Sequence, residues 1–240
     1  MPPPSRVRAV LARGSGASIL PGGEGGHRFR VRIDSLQRAA KSDVMCNHYR
    51  LNLEALADWA EWVGFNLPPP RVDMDQNIWP KRDSLIARIC DGKQSIDTMS
   101  WGVPMTMSGK RPGTSITKHV TNVRNLASPF WRTMLETPAQ RCLVPFSAFA
   151  EPKIGYGREE HWFSIADVPI GAFAGIWRTS DEGNVYAFLT CEPNPLVAPL
   201  HPKAMPVILQ PDDYETWLTA DYEDACALAQ PFPSQLMTVA

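Results

Sequence analysis

The sequence predicts an α+β fold: a single domain of mainly antiparallel, curved (barrel-like) sheets with peripheral helices. Three observations carry this. Short runs rich in β-branched and aromatic residues recur between residues 84 and 209, separated by turn signals. Helical patterns are grouped at intervals and do not alternate with every strand, which argues against a parallel βαβ sheet. No internal repeat is present, and 240 residues suit one well-buried domain.

Taken in order, residues 1–44 are rich in Pro, Gly, Ser and Arg and carry no sustained apolar period, so a disordered extension is expected. It is read either as a misassigned start or as a propeptide removed later; a mitochondrial-like presequence fits less well, since no amphipathic helix is evident. Dense patterning begins at Met45. LEALADWAEWV (Leu53 to Val63) has Leu56, Ala57, Ala60 and Val63 at helical spacing, with Asn52 as N-cap. Pro68 to Pro70 end that helix. Ser84 to Cys90 and Ser95 to Trp101 flank Asp91-Gly92, a hairpin signal. GKRPG (Gly109 to Gly113) reads as a solvated basic turn. Ser128-Pro129 opens a helix to about Glu136.

The second half is mostly strand-like. RCLVPFSAFAE (Arg141 to Glu151), His161 to Ala166, Ala172 to Thr179 and Val185 to Cys191 are expected strands, the last two joined by the polar turn SDEGN. AMPVIL (Ala204 to Leu209) precedes a helix in QPDDYETWL. A last helix is expected from about Tyr222 to Gln230.

Composition narrows the function. No apolar run approaches the roughly 20 residues needed to cross a bilayer, and no secretory signal is visible, so a cytoplasmic protein with no membrane contact is expected. The five cysteines form no CxxC pair and are odd in number, which argues against a disulfide framework. The five histidines lack HExxH and zinc-finger spacing, so neither metal nor cofactor is expected. The formal charge of −1 hides an asymmetry: residues 1–44 hold eight basic and three acidic residues, leaving −6 on the remainder. A body of that sign is no general polyanion binder, and any nucleic-acid contact must be local.

Met45-Cys46 is the most informative dipeptide. MCNHYRLN reads like a chain start, and removal of Met45 would leave a terminal Cys46 with its amine and thiol both free. Such a 1,2-aminothiol can form an imine with an aldehyde and close a thiazolidine through sulfur. An α-amine titrating at about 7.7–8.0 and a thiol at about 8.5 keep part of each nucleophile unprotonated at neutral pH. An internal cysteine lacks the amine half, and most free cysteines are simply small buried hydrophobes.

Seven pieces, in order, carry a resemblance: MCNHYR at Met45, NIWP at Asn77 to Pro80, SWGVP at Ser100 to Pro104, TNVR at Thr121 to Arg124, RCLVPFSAFAE at Arg141 to Glu151, FAGIW at Phe173 to Trp177, and HPKAMPVIL at His201 to Leu209. Together they resemble the SRAP family, the SOS response-associated peptidases or abasic-site processing proteins. The resemblance implies a catalytic domain over 45–240 that cross-links to abasic sites in single-stranded DNA. It implies Cys46 as nucleophile, Asn122 to orient it, Glu151 as general acid/base and His201 to assist sugar-ring opening. It also implies Arg124 on a phosphate, with Trp101 and Pro80 lining the DNA groove. The chemistry agrees, because unmasking a hemiacetal and expelling water both need proton transfers that an imidazole and a carboxyl with raised pKa can make.

Two features depart from the family pattern. The family commonly has His-x-Arg-Met-Pro, whereas this chain has His201-Pro202-Lys203-Ala204-Met205-Pro206, so Lys203 would supply charge without the bidentate fork of arginine. Residues 1–44 would block the amine; self-cleavage and a true start at Met45 both remove the block, and the Met before Cys46 favours the second. The expected function is thus a self-processing, lyase-like cysteine peptidase of DNA repair, acting as a monomer. A Cys-dependent amidohydrolase using Cys46, His201 and Glu151 or Asn122, and a non-catalytic single-strand binding module, are the alternatives.

Overall fold

A computed structural model of the 240-residue chain describes residues 46–66, 74–111 and 113–240. The expectation for residues 1–44, Met45 itself, and Pro68 to Pro70 lie outside the described residues. The order begins with β1 (His48–Arg50), α1 (Leu53–Val63), β2 (Asn77–Ile78), β3 (Asp83–Cys90), β4 (Lys93–Trp101), β5 (Val103–Ser108), β6 (Ser115–Val120), β7 (Asn122–Val123) and α2 (Pro129–Glu136). It continues with β8 (Arg141–Phe146), β9 (Ala148–Pro152), β10 (Glu160–Ile165), β11 (Gly171–Ser180), β12 (Gly183–Cys191), β13 (Met205–Pro206), β14 (Ile208–Leu209), α3 (Tyr214–Thr219), α4 (Tyr222–Ala227) and β15 (Met237–Val239).

Five strands close into a barrel. β3 pairs antiparallel with β4 and with β8, β8 with β11, and β11 with β12; a parallel β12–β4 pairing, Val185 opposite Ser100 and Tyr186 opposite Trp101, completes the ring. Closure removes the unpaired edges that an open sheet would leave. The β3–β4 turn is where the sequence placed it: Asp91 and Gly92 both take positive φ, 51° and 72°, the backbone a two-residue hairpin requires.

A second, antiparallel sheet in the order β15-β10-β9-β1-β2 packs on the barrel. Aromatic residues fill the interface. Tyr49 meets Trp101, Phe173 and Phe188 edge-on at 5.3–6.2 Å, Phe149 stacks on Phe163 at 5.1 Å, and all are fully buried. The Tyr49 and Tyr186 hydroxyls lie 2.5 Å apart, so the polar ends of two buried rings satisfy each other across the layers.

The helices cover the periphery. α1 starts where Asn52 Oδ1 accepts from the N–H groups of Glu54 and Ala55, and it buries Leu56, Trp59 and Ala60. α2 starts at Pro129 as expected, although the Ser128 side chain makes no capping bond. The expected Arg141–Glu151 strand is two strands: the Ser147 N–H donates to Arg50 O at 2.7 Å, so the chain leaves the barrel for the second sheet there. The helix expected to Gln230 ends at Ala227, and QPDDYETWL splits into a 3₁₀ turn and α3. Arg141 is wholly buried, donating to Ala220 O and to Asp221 O beyond the end of α3, and burial lowers its pKa. No helix among the described residues is long and apolar enough to cross a membrane.

Candidate functional site

Cys46, Asn122, Glu151 and His201 converge at the seam between barrel and second sheet. Cys46 precedes β1 and Glu151 lies on β9, neighbours in the second sheet. Asn122 is on β7, whose pairing with β12 sets Asn122 opposite Phe188 on the barrel side. His201 follows the turn after β12. All four are buried, from 0% exposed for Glu151 to 6% for Asn122 and His201.

Asn122 holds Cys46 by its main chain. Its Nδ2 donates to Cys46 O and to Thr121 Oγ1, each at 2.9 Å, which uses both amide protons. Its Oδ1 is buried and meets no donor among the described residues. The Cys46 thiol contacts His48 O at 3.8 Å. Burial pushes this thiol well above its usual range, and the negative charge of Glu151 adds to the rise.

The Glu151 carboxyl is the anomaly of the site. Both oxygens are buried without a hydrogen-bond donor among the described residues. His201 Nδ1 comes within 3.5 Å of Oε2, too long for a good hydrogen bond, because it donates instead to Ala204 O at 2.9 Å. Burial, and secondly the charge of Glu160, raise the Glu151 pKa well above the carboxylate range. A carboxyl so placed holds its proton more tightly than an exposed one and can act as an acid.

Since Ala204 O can only accept, Nδ1 of His201 carries a proton, and Nε2 is the nitrogen left to exchange one. The turn that presents His201 is built by Asn194, which the sequence reading missed. Asn194 Oδ1 accepts from the N–H groups of Leu196 and Val197, and Nδ2 donates to Phe232 O at 2.7 Å. Val197 O then accepts from His201 N at 2.8 Å. A cavity of about 420 Å³ adjoins, lined by Lys153, Ile154, Tyr156, Glu159, His161, Pro199 and Leu200.

The residues expected at DNA fall in different places. Trp101 does not line a groove: it is fully buried, and its indole N–H donates to Thr121 O at 3.1 Å, bracing the segment that carries Asn122. Arg124 is near the site but committed, donating to Cys191 O and Lys203 O and ion-paired with Glu192. Lys203 is exposed, and Pro80 is half-buried beside Trp79.

Trp79 supplies the flat exposed surface instead. It is 42% exposed and stacks on His48 with ring centroids 3.7 Å apart, while Trp162 meets His48 edge-on at 4.6 Å. Arg50 lies 3.7 Å over the Trp162 ring. His48 Nδ1 faces Glu160 Oε2 at 2.8 Å and Nε2 faces Asn77 Oδ1 at 3.3 Å. Sequence gave one hint of this cluster, the adjacency of His48 to Cys46 in MCNHYR. Among the described residues no group of three His, Cys, Asp or Glu could hold a metal ion.

A family model described as SOS response associated peptidase (SRAP) matches residues 45–240. Three X-ray structures share the fold. A protein from Bordetella bronchiseptica is 24% identical, covers 81% of this chain and 98% of its own, and superposes with a TM-score of 0.63. A protein from Bacteroides thetaiotaomicron is 20% identical, covers 81% and 90%, with a TM-score of 0.64. A phage-related protein from Bordetella bronchiseptica is 19% identical, covers 81% and 93%, with a TM-score of 0.59. No curated protein matches the chain by sequence.

Proposed function

The chain belongs to the SOS response associated peptidase family, and from that premise we propose that it joins Cys46, once the amine is free, to the aldehyde of an abasic site in single-stranded DNA. The observation that carries this reading is the buried Glu151 carboxyl, without a donor among the described residues, near the Cys46 that Asn122 holds by its main chain. Three buried acceptor oxygens without donors among the described residues, one on Asn122 and two on Glu151, suit an amine bearing several protons.

The proton transfers balance within the cluster. Opening the sugar removes a proton from the C1′ hydroxyl and returns one to the ring oxygen, work for Nε2 of His201. The amine adds to C1′ and gives a carbinolamine. Neutral Glu151 protonates its hydroxyl, water leaves, and an iminium forms. The carboxylate just made takes the thiol proton, and sulfur closes on the iminium carbon. One water is lost, and Glu151 ends as it began. A thiol with a raised pKa requires such a base, so the two shifted groups complement each other.

Free amine at Cys46 would come from self-release of the preceding residues or from synthesis beginning at Met45 followed by removal of that methionine. The domain over 45–240 is proposed to work as a cytoplasmic monomer, with Trp79 offering a face to an unstacked base near the lesion. A Cys–His hydrolase is less well supported. Its thiol would need a lowered pKa, whereas burial and Glu151 raise that of Cys46.

The test uses protein that begins at Cys46, made from Met45 with that methionine removed, and an oligonucleotide holding one abasic site, resolved on a denaturing gel. A heat-resistant adduct that Cys46→Ala abolishes supports the reading, and Cys46→Ser should give no stable product because an oxazolidine hydrolyses readily. Peptide cleavage without adduct would support the hydrolase, and salt-sensitive binding alone would support a binding module.

A further inference from the structure

Among the described residues β5 and β6 pair only with each other, from Val103 opposite Val120 to Ser108 opposite Ser115, and so form a two-stranded ribbon beside the barrel. Burial falls along it, from Val103 at 0% exposed to Met107 at 44% and Ile116 at 48%. Such a ribbon is marginally stable alone, and here its root is fixed. Gly102 N donates to Tyr186 O at 2.8 Å, Arg178 donates to Pro104 O at 2.6 Å, and His119 meets Glu182 at 2.8 Å. Gly102 takes φ +126°, and a Cβ there would lie 3.0 Å from His119 Cβ, so the ribbon leaves the barrel at a set angle.

Charge on the ribbon is one-sided. Residues 103–120 contain Lys110, Arg111 and Lys118 and no acidic residue, on a domain whose residues 45–240 sum to −6. All three cations are exposed, and none pairs with a carboxylate of the described residues. The register sets Met105 opposite Lys118 and Met107 opposite Ile116, so one face combines exposed apolar side chains with a cation. β6 also runs directly into the site: Thr121 separates Val120 from Asn122. Arg124, by contrast, is neutralised by Glu192.

We propose that the β5–β6 ribbon is a second nucleic-acid contact, which grips single-stranded DNA to one side of the lesion through Lys110, Arg111 and Lys118. The proposal rests on the single-strand reading above for the identity of its ligand. Six residues of strand span about 20 Å, or about six phosphates at roughly 3.4 Å each along a stacked strand. A strand anchored at Cys46 reaches the tip only when it extends about that far. Apolar side chains between cations suit a ligand that shows base faces and phosphates together.

The experiment compares the full chain with its K110Q/R111Q/K118Q variant, binding a fluorescent undamaged oligonucleotide of about 20 nucleotides over a range of salt. Each phosphate contact on a single strand contributes about −0.7 to the slope of log K against log salt, so the variant's slope should be shallower by about 2. That difference corresponds to roughly 20-fold in affinity between about 50 and 200 mM salt. Residues 1–44 contribute equally to both proteins and cancel in the difference. Equal slopes on the long strand, with unchanged thermal melting of the variant, overturn the proposal. So does a slope difference seen only with anionic vesicles, which would make the ribbon a membrane contact. The strand carries no lesion, so this result is independent of Cys46 chemistry, and loss of the Cys46 adduct reading is recognised in its own assay.

Discussion

Replacing Glu151 by Gln should stabilise the fold at neutral pH and abolish cross-linking, two effects with one cause. The wild-type carboxyl has a pKa raised by burial and by Glu160, while in the unfolded chain it titrates at about 4.3. Stability from the protonated native form is therefore complete below about pH 4.3 and is lost as pH rises toward the folded pKa. Within that window wild-type stability falls by up to about 1.4 kcal/mol per pH unit. Glutamine cannot ionise, so the variant's advantage should grow by the same amount. For a domain of this size about 1 kcal/mol moves Tm by about 2–4 °C, giving a divergence of about 3–6 °C per pH unit. Thermal unfolding between pH 5 and 8 reads this, below the range in which Cys46 adds its own dependence. Parallel curves for the two proteins would show that Glu151 ionises like an exposed carboxyl, and the acid role would fall with that result.

Asn122→Ala should slow adduct formation far more than it weakens DNA binding, at a stability cost of about 1–3 kcal/mol, since Cys46 O loses its donor; an unchanged single-turnover rate would refute its orienting role. Trp79→Ala should weaken binding to a lesion strand by about 1–3 kcal/mol with the salt slope unaltered, because stacking is lost and no phosphate contact is. A changed slope in titrations at several salt concentrations would count against the base platform. Glu192→Gln should release Arg124 and steepen the salt slope by about 0.7, with tighter binding at low salt. No change would leave Arg124 as a purely structural tie between β12 and the His201 turn.

Signals carried by neighbouring residues were legible in the sequence. Asn52 before an apolar helical stripe fixed the start of α1, and Asp91-Gly92 fixed the β3–β4 hairpin, because both are local. The two- and three-residue strands β1, β2, β7, β13, β14 and β15 were not legible. They exist only through partners far along the chain, as when β1 pairs with β9 one hundred residues later. The same distance hid the pairing of Arg124 with Glu192 and the packing of Trp101, a residue whose type fits a DNA groove as well as a core. Cys46, Asn122, Glu151 and His201 were named through family resemblance. The structure adds a physical reason for the grouping, which is a buried carboxyl without a donor among the described residues.

The seam location explains how one small site can hold such desolvated groups. Glu151 sits in the second sheet and Asn122 on the barrel side, so neither sheet alone assembles the cluster. The aromatic interface and the Tyr49–Tyr186 hydroxyl contact hold the layers in register directly beyond His48. A buried carboxyl without donors would otherwise relax toward water, since leaving it unpaired costs on the order of 1–3 kcal/mol or more. Rigid packing behind the seam opposes that relaxation and preserves the burial that raises the Glu151 pKa. The core supplies that rigidity, and the proposed chemistry falls where both layers meet the chain segment that carries Cys46.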